Sequence, residues 1–523
     1  MLTMHKVDES RAFLECGDDE FEEIAAMHKA LSYYVHNYRF MPKFKSGEWD
    51  GKISLLDLGT RMFPIGLAKH VYDCAKEQGI ECRIDQDVAR CFYDKTFSDV
   101  DFDDFLEGTR FFSKGKEIFP RDDQIEATKR ALKMKRCINL CPTSFGKSLS
   151  IAIECLYLVR RGLKCLIVVP TKGLVDQFAN DIRDYATNED GNLEPWYPKI
   201  QTVYGGQSKD ILDETQICIS TWQSLDRIWK TDRKVMNLFD CICLDECHRG
   251  SAMVLQKLVM SARQVPYRTG WTGTLANDIV NEMVIKGLFG EPRQIVTTMQ
   301  LMDRNIVARL RITIVKLKYP EVLGRRFRNL DYYNQCKWLD ELPERNDAVV
   351  RLASSQKEAG LVLYKKISHG EELFARLREA NPDRVVYLVH SGHFQRNGEM
   401  YKSFEELKPM LEQEKDSILV ANYQLVGTGV SVKNIHYVMF AAPVKSYITT
   451  IQSIGRGLRV SETKRSVELI DIVDDMSYKA RVNVIQNYAM RHFEERFRIY
   501  NENGFDYSMD SIPIEPAEEE ITF

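Results

Sequence analysis

No stretch of this 523-residue chain reaches the ~18 uncharged residues that a bilayer-spanning helix needs. The first eight residues, Met1 to Asp8, hold no apolar run of the kind a secretory leader requires. A membrane protein and an exported one are thereby set aside, and a cytoplasmic location is expected, in the host cytoplasm if the chain is phage-encoded. An excess of positive charge is also missing. The 72 basic residues face 76 acidic ones, for a net charge of −4. A globally basic nucleic-acid coat is excluded, whereas a basic stripe on a balanced protein is not. The glutamates between 515 and 520 pull the total down. None of the 13 cysteines forms a Cys-x-x-Cys pair. Paired spacing of the zinc-ribbon type is therefore lacking. The thiols, Cys241 and Cys243 on one face of a strand among them, are expected to be buried and reduced. Internal repeats and low-complexity tracts are lacking as well.

What is present is ample core. Hydrophobic residues make up 44% of the chain and charged residues 28%, which is the balance of a globular protein. At about 150 residues per domain the length suggests roughly three domains. Residues 1–110 are expected to form a small α/β accessory domain. It has a helix over Asp18 to Leu31, a strand over Lys52 to Leu58, a helix over Gly66 to Glu77 and a strand over Glu81 to Ile84. The acidic stretch Ser98 to Glu107 is expected to be a link. Between 111 and 300, apolar strands alternate with helical patterns (Cys137–Leu140, Lys164–Val169, Gln201–Val203, Ile217–Ser220, Phe239–Leu244, Tyr267–Trp271). The alternation restarts between 301 and 480 (Arg311–Lys316, Gly360–Leu363, Arg384–Val389, Asp416–Val420, Tyr437–Ala441, Val467–Ile472). Such alternation implies two α/β domains, each a parallel sheet covered by helices. Residues 481–523 are expected to hold an amphipathic helix (Ile485 to Tyr500) and an acidic tail that frays from Ser508 onward.

The chemistry is concentrated at strand ends. Cys141-Pro142-Thr143-Ser144-Phe145-Gly146-Lys147-Ser148 follows one strand and opens a helix. Backbone N–H groups of such a loop cradle phosphates, Lys147 reaches the β/γ-phosphates, and the Ser148 hydroxyl ligates Mg²⁺. A glycine would be usual at 141, where this chain has Cys141. Downstream, Asp245-Glu246-Cys247-His248 ends another strand at the carboxyl edge of the sheet. Asp245 suits the metal, and Glu246 suits positioning and deprotonating the attacking water. A phosphate loop alone indicates a nucleotide site; with this carboxylate pair it indicates hydrolysis. Arg456 and Arg459 follow Gln452 in the later domain. They lie three apart, on one face of a helix, a spacing that suits guanidinium groups aimed at a γ-phosphate.

Together these residues resemble the superfamily 2 helicases and translocases over most of residues 117–475. Other segments match family motifs in order. The resemblance implies that Arg121 stacks on adenine and Gln124 reads its edge, although Asp123 replaces the usual aromatic. Val169 to Leu174 with Gln177, then Gly205-Gly206, then Ser220 to Ser224, resemble strand-tracking motifs, with Thr171, Lys172 and Thr221 as the DNA contacts. Thr272-Gly273-Thr274 resembles the segment coupling hydrolysis to movement, with His248 as a further relay. Gly427 to Ser431 resembles the motif that touches nucleotide and nucleic acid; Ser431 stands where an acidic residue is common. Within the superfamily the chain resembles the UvsW-type recombination helicases of the T-even phages. The likeness runs through Tyr38–Phe44, Gly47–Ile53, Asn139–Ser144, Gly429–Asn434 and Ile470–Asp475. It implies two tandem RecA-like domains closing over ATP and Mg²⁺, probing single-stranded and branched DNA such as D-loops, R-loops, forks and four-way junctions. RNA–DNA hybrids and recombination proteins are the further partners it suggests, for a chain expected to be monomeric. An RNA helicase and the motor subunit of a restriction-type translocase are the alternatives.

The segment from Tyr38 to Lys52 interleaves aromatics with cations. Arg39, Lys43, Lys45 and Trp49 are candidate DNA contacts, because aromatics stack bases at ~1–3 kcal/mol each and cations track phosphates. The same aromatics equally suit a small core. Gly324 to Arg328 is either a strand contact or a solvated loop. His369 and His390, with no acidic partner evident in the sequence, are expected to be structural or to face nucleic acid.

Overall fold

The computed structural model describes residues 1–17, 21–205, 210–251, 253–275, 278–390, 392–423, 434–443, 466–481 and 483–516. They divide into two units, Met1–Val296 and Thr297–Phe523.

In the first unit a seven-stranded sheet runs in the order Ile200–Val203, Ile217–Thr221, Cys165–Val169, Cys241–Asp245, Tyr267–Thr272, Arg136–Leu140, Pro292–Gln294. Every pairing in it is parallel. Its central strands are short apolar runs buried end to end, as a sheet covered on both faces demands. The expected strands are therefore all present, displaced by one or two residues. The helix Lys147–Arg160 leaves the phosphate loop and packs Leu149 to Leu158 into this layer. Beneath it, ligand atoms of Glu154, Cys241 and Cys243 lie within 4.8 Å of one another, a convergence that cysteine spacing did not reveal. Glu154 accepts from Thr269 Oγ1 at 2.9 Å and from Trp271 Nε1 at 3.2 Å. Burial pushes its carboxyl and the Cys243 thiol well above their ordinary values. All 13 cysteines are free. This is hydrogen-bonded core built from protonated groups.

The N-terminal part carries its own four-stranded sheet, ordered Met62–Pro64, Arg11–Glu15, Leu2–Lys6, Cys82–Ile84. Of these only Cys82–Ile84 was foreseen; the strand expected over Lys52 to Leu58 is Lys52–Ser54, which pairs instead with Ser32–Tyr34. The helix expected over Asp18 to Leu31 spans Phe21–Ala30, and the supposed acidic link is the helix Asp99–Glu107, capped by Ser98. This layer is welded to the larger sheet. Met283, from the helix Ile279–Phe289, belongs to its apolar core. A Cβ on Gly66 would fall on the carbonyls of Lys286 and Gly287, so the two backbones meet there. The turn Asp8-Glu9-Ser10 caps two fully buried arginines. Arg136 Nη2 pairs with Glu9 Oε2 at 2.6 Å, and Arg268 Nη2 donates to Ser10 Oγ at 2.9 Å.

The second unit is a nine-stranded sheet ordered Glu399–Tyr401, His393–Arg396, Val386–His390, Ile418–Asn422, Gly360–Tyr364, Tyr437–Phe440, Ser466–Asp475, Arg309–Lys318, Asp506–Pro513. Here the fraying tail needs correcting. Asp506–Pro513 pairs in parallel with Arg309–Lys318 along the sheet edge. Nearly all its side chains are exposed, so no hydrophobic periodicity announces it. Main-chain hydrogen bonds hold it, with Phe505 and Ile514 buried at its two ends. Gly324 to Arg328 is no loop either: it belongs to the helix Glu321–Phe327 and its C-cap, with Leu323 and Phe327 in the core. The helix Tyr488–Glu502 buries Arg496, which forks onto Asp471 at 2.8 and 2.9 Å. His369 is structural, as expected, yet it has an acidic neighbour: its Nδ1 lies 3.3 Å from Asp340 Oδ1. Burial holds this imidazole well below its ordinary pKa, and therefore neutral.

Candidate active site

The strand Arg136–Leu140 delivers the phosphate loop and the neighbouring strand Tyr267–Thr272 delivers Thr272 and Thr274. The loop bends through two left-handed residues, Ser144 at φ 68° and Gly146 at φ 87°. Gly146 is required for that φ, and a side chain there would push the Gln124 amide off the loop. Lys147 opens the helix directly behind it, so Lys147 and Ser148 occupy its first turn, where backbone N–H groups are unpaired.

Arg121 and Gln124 clasp the loop from behind. Arg121 Nη2 and Gln124 Nε2 donate to the Phe145 carbonyl at 2.5 and 3.0 Å, and Gln124 Oε1 accepts from Arg121 N at 3.0 Å. Arg121 also pairs with Asp123 at 3.2 Å, which gives the unusual residue at that position a local role. Phe145 is buried beneath the Arg121 guanidinium.

Glu246 is the hub of the site. Lys147 Nζ stands 3.5 Å from Glu246 Oε1, and His248 Nδ1 lies 3.3 Å from Glu246 Oε2. His248 Nδ1 is also 2.9 Å from Thr272 Oγ1, which donates to the Thr274 carbonyl at 2.9 Å. Thr272 Oγ1 is 3.4 Å from Glu246 Oε2. Carboxylate, imidazole and two threonines thus form one connected chain, so the proposed relay residues are assembled. Glu246 itself sits at φ 53°, a strained geometry of the sort found at functional sites.

The adjacent carboxylates differ in charge. Burial, reinforced by Glu246, raises Asp245 to about 7. Burial acts on Glu246 too, but Lys147 and His248 outweigh it and hold that carboxyl far below its ordinary value. Asp245 Oδ1 is buried with no hydrogen-bond partner among the described residues. An orphaned carboxylate oxygen whose negative charge is suppressed by burial fits a divalent cation, which would restore the ionised form. Asp245, with Ser148, fits Mg²⁺ on this chemistry.

Thr171 and Thr221 each cap a helix at the carboxyl edge of the same sheet, accepting from Leu174 N and Ser224 N. A Cβ on Gly205 would lie 3.3 Å from Lys172 Nζ and 3.4 Å from Arg227 Nη1. Two exposed cations therefore converge beside this backbone. Arg227 was not foreseen; it lies six residues beyond Thr221, outside any motif spacing.

In the N-terminal layer Arg39, Lys43 and Lys45 are exposed and Phe40 is 74% exposed. Tyr34 stacks on Tyr38 at 4.6 Å, Tyr38 meets Phe44 edge-on at 4.8 Å, and Lys52 Nζ lies 4.7 Å over Tyr34. Trp49 donates its indole N–H to the Lys52 carbonyl at 2.7 Å and so braces the turn. Gly427, Gln452, Arg456 and Arg459 lie outside the described residues.

Comparison with known proteins adds relatives to this geometry. Residues 117–277 match the family described as the Res subunit of type III restriction enzymes, and residues 2–85 match the N-terminal domain of the DNA helicase UvsW. The ATP-dependent DNA helicase UvsW of Enterobacteria phage T4 is 30% identical over 526 residues, spanning 98% of this chain and all of that protein. A solved structure of T4 UvsW, 28% identical, covers 98% of this chain and 99% of its own at a TM-score of 0.49. A fragment of an HsdR-type subunit from a Vibrio vulnificus type I restriction enzyme is 17% identical. It covers 75% of this chain and 67% of its own, and its TM-score of 0.52 indicates the shared fold. Among the described residues no helix is long and apolar enough to cross a membrane.

Proposed function

The chain belongs to the UvsW family of ATP-dependent superfamily 2 helicases, and from that premise we propose that it hydrolyses ATP with Mg²⁺ to translocate on DNA and remodel branched intermediates. Forks, Holliday junctions, D-loops and R-loops are the proposed substrates. The observation that carries the catalytic half is the Lys147–Glu246–His248–Thr272 chain beside an unpartnered Asp245 oxygen. Bound Mg²⁺ would supply charge neutralisation on the phosphates, with Ser148 and Asp245 holding it. The residues of the chain do the rest. The loop orients the phosphates, Glu246 orients and deprotonates water, and Arg121 and Gln124 shape the base side. Gly427, Gln452, Arg456 and Arg459 complete the proposed machinery, the two arginines offering charge to the γ-phosphate.

Support for the DNA half comes from Thr171, Lys172 and Thr221 on one sheet edge and from the exposed aromatic-cation surface of the N-terminal layer. The match of residues 2–85 to the UvsW N-terminal domain favours this reading over a restriction-type motor. ATP hydrolysis by the purified chain, measured without nucleic acid and with single-stranded DNA, RNA or a four-way DNA junction, tests it. The junction is expected to stimulate most. Stimulation by RNA alone would move the substrate to RNA, and an equal rate throughout would remove the coupling.

The N-terminal contacts have their own test. Lys43→Ala combined with Lys45→Ala is expected to weaken junction binding and to flatten its salt dependence, by about 2 in the logarithmic slope if both meet phosphates. Both side chains are exposed, so the fold should be untouched. An unaltered slope would remove these two lysines from the interface.

A further inference from the structure

The second unit carries a concavity of about 590 Å³ between the helices Tyr332–Glu341 and Tyr488–Glu502, lined by Tyr332, Tyr488, Arg491, His492, Glu495 and Arg498 among others. Its aromatic wall is built. Tyr332 meets Tyr488 edge-on at 5.5 Å and His492 at 5.1 Å, and Tyr488 N donates to Gln335 Oε1 at 3.2 Å, tying one helix to the other. Two cations stand against its aromatic rings, and Glu494 and Glu495 complete the lining. The Arg491 guanidinium lies 4.4 Å over the Tyr488 ring, and Lys365 donates to Tyr332 Oη at 3.0 Å. Beside it, Lys366 Nζ lies 4.8 Å over the ring of Tyr333, which is 65% exposed.

The acids of the C-terminal helix are already engaged. Glu495 pairs with Arg498 at 3.0 Å, and Glu494 accepts from Gln486 at 2.5 Å. Arg491 has no carboxylate partner among the described residues. The position is also telling. Lys365 directly follows the strand Gly360–Tyr364, and its carbonyl accepts from Asn422 at the end of the next strand. The concavity thus opens at the carboxyl edge of a parallel sheet, where α/β folds bind ligands.

We propose that this concavity holds an unstacked base of a single DNA strand, with Tyr332 and Tyr488 as the stacking surface and Arg491 and Lys365 on its flanking phosphates. The proposal rests on the DNA reading above and adds a strand contact in the second unit. Aromatic faces accept every base, and cations beside them with no carboxylate partner among the described residues suit phosphate. A face already covered by a planar guanidinium is one that a planar base can share or take over.

Full-length protein and a single-stranded oligonucleotide carrying 2-aminopurine provide the test. Tyr332→Leu with Tyr488→Leu is expected to weaken binding about tenfold and to abolish the aromatic quenching of the probe. Tyr488→Phe, which keeps the ring, should bind within twofold of the unaltered chain. Arg491→Gln, a change at an exposed position, should lower the logarithmic salt slope by about 1. It keeps the proposal open to refutation should the double leucine variant fold poorly. Full affinity and quenching in the double variant, or an unchanged slope in Arg491→Gln, would overturn it. So would quenching by free 2-aminopurine nucleotide with none by the strand, which would make the concavity a mononucleotide site. An unaltered chain that binds no DNA at all would instead refute the DNA reading itself.

Discussion

Glu246→Gln is expected to lower ATP turnover by about 10²–10⁴-fold while nucleotide binding persists. Two neighbouring carboxylates stand in environments that push their proton affinities apart, the pattern by which acid–base roles are assigned. Glu246 is held ionised by Lys147 and His248, whereas Asp245 is raised to about 7 by burial and by Glu246. Glu246 is therefore ionised at neutral pH, and with Asp245 assigned to the cation it is the carboxylate left to take the proton. Glutamine preserves its size and its contacts with Thr272 and His248 but cannot take a proton. Binding should survive because the loop holds phosphates mainly through backbone N–H groups. Lys147→Ala is the companion variant, expected to remove turnover by removing phosphate charge neutralisation. Single-turnover hydrolysis beside equilibrium nucleotide binding separates the two effects. Turnover in Glu246→Gln within tenfold of the unaltered chain would dismiss Glu246 as the base.

Glu9→Ala is expected to cost about 3–5 kcal/mol of the stability of the first unit. Two arginines lie side by side with no exposure, and the Asp8-Glu9-Ser10 turn brings the compensating charge. Burial and the adjacent Arg136 already push the Arg268 guanidinium well below its ordinary value. Truncating Glu9 leaves that charge pair unanswered in a dry interior. The Arg136 and Lys6 cations, outweighing burial, hold the Glu9 carboxyl below its usual value of 4.5. Its contribution is therefore fully present above pH 4.5 and fades as pH falls through the lower folded value. The destabilisation of Glu9→Gln should shrink on acidification through the same window. Denaturant unfolding at pH 7 and at pH 4 reads both. A loss under 1 kcal/mol at pH 7 would mean that the arginines are balanced elsewhere.

The parallel strands and the nucleotide loop were legible because their signals are local. A short apolar run shows a strand buried on both faces, and Gly146-Lys147-Ser148 lie side by side in the chain as they do in the site. His248 and Thr272 could be placed through motif order. What stayed hidden was long-range or silent. Glu9 and Arg136 are 127 positions apart, and nothing near either residue announces the pair. The edge strand Asp506–Pro513 exposes its side chains, so it lacks the alternation that marks a half-buried strand. Leu2–Lys6 and Arg11–Glu15 are short, pair with each other across a charged turn, and complete their sheet only through Cys82–Ile84 and Met62–Pro64. Glu154 looked like an ordinary polar position on a helix, yet its carboxyl finds Thr269 and Trp271 from a strand more than 100 residues on.

Met283 sits in the core of the N-terminal sheet although it belongs to a helix almost 200 residues beyond it, and Gly66 meets that helix backbone to backbone. Anyone grafting this N-terminal module onto another motor, or exchanging it among relatives, faces a seam that a single cut after the module does not free. The transplanted piece must bring the docking face of Ile279–Phe289 with it, or the recipient must offer a glycine where Gly287 stands and a slender apolar side chain for Met283. Recombination between such genes would then succeed only when both exchanged segments come from the same parent.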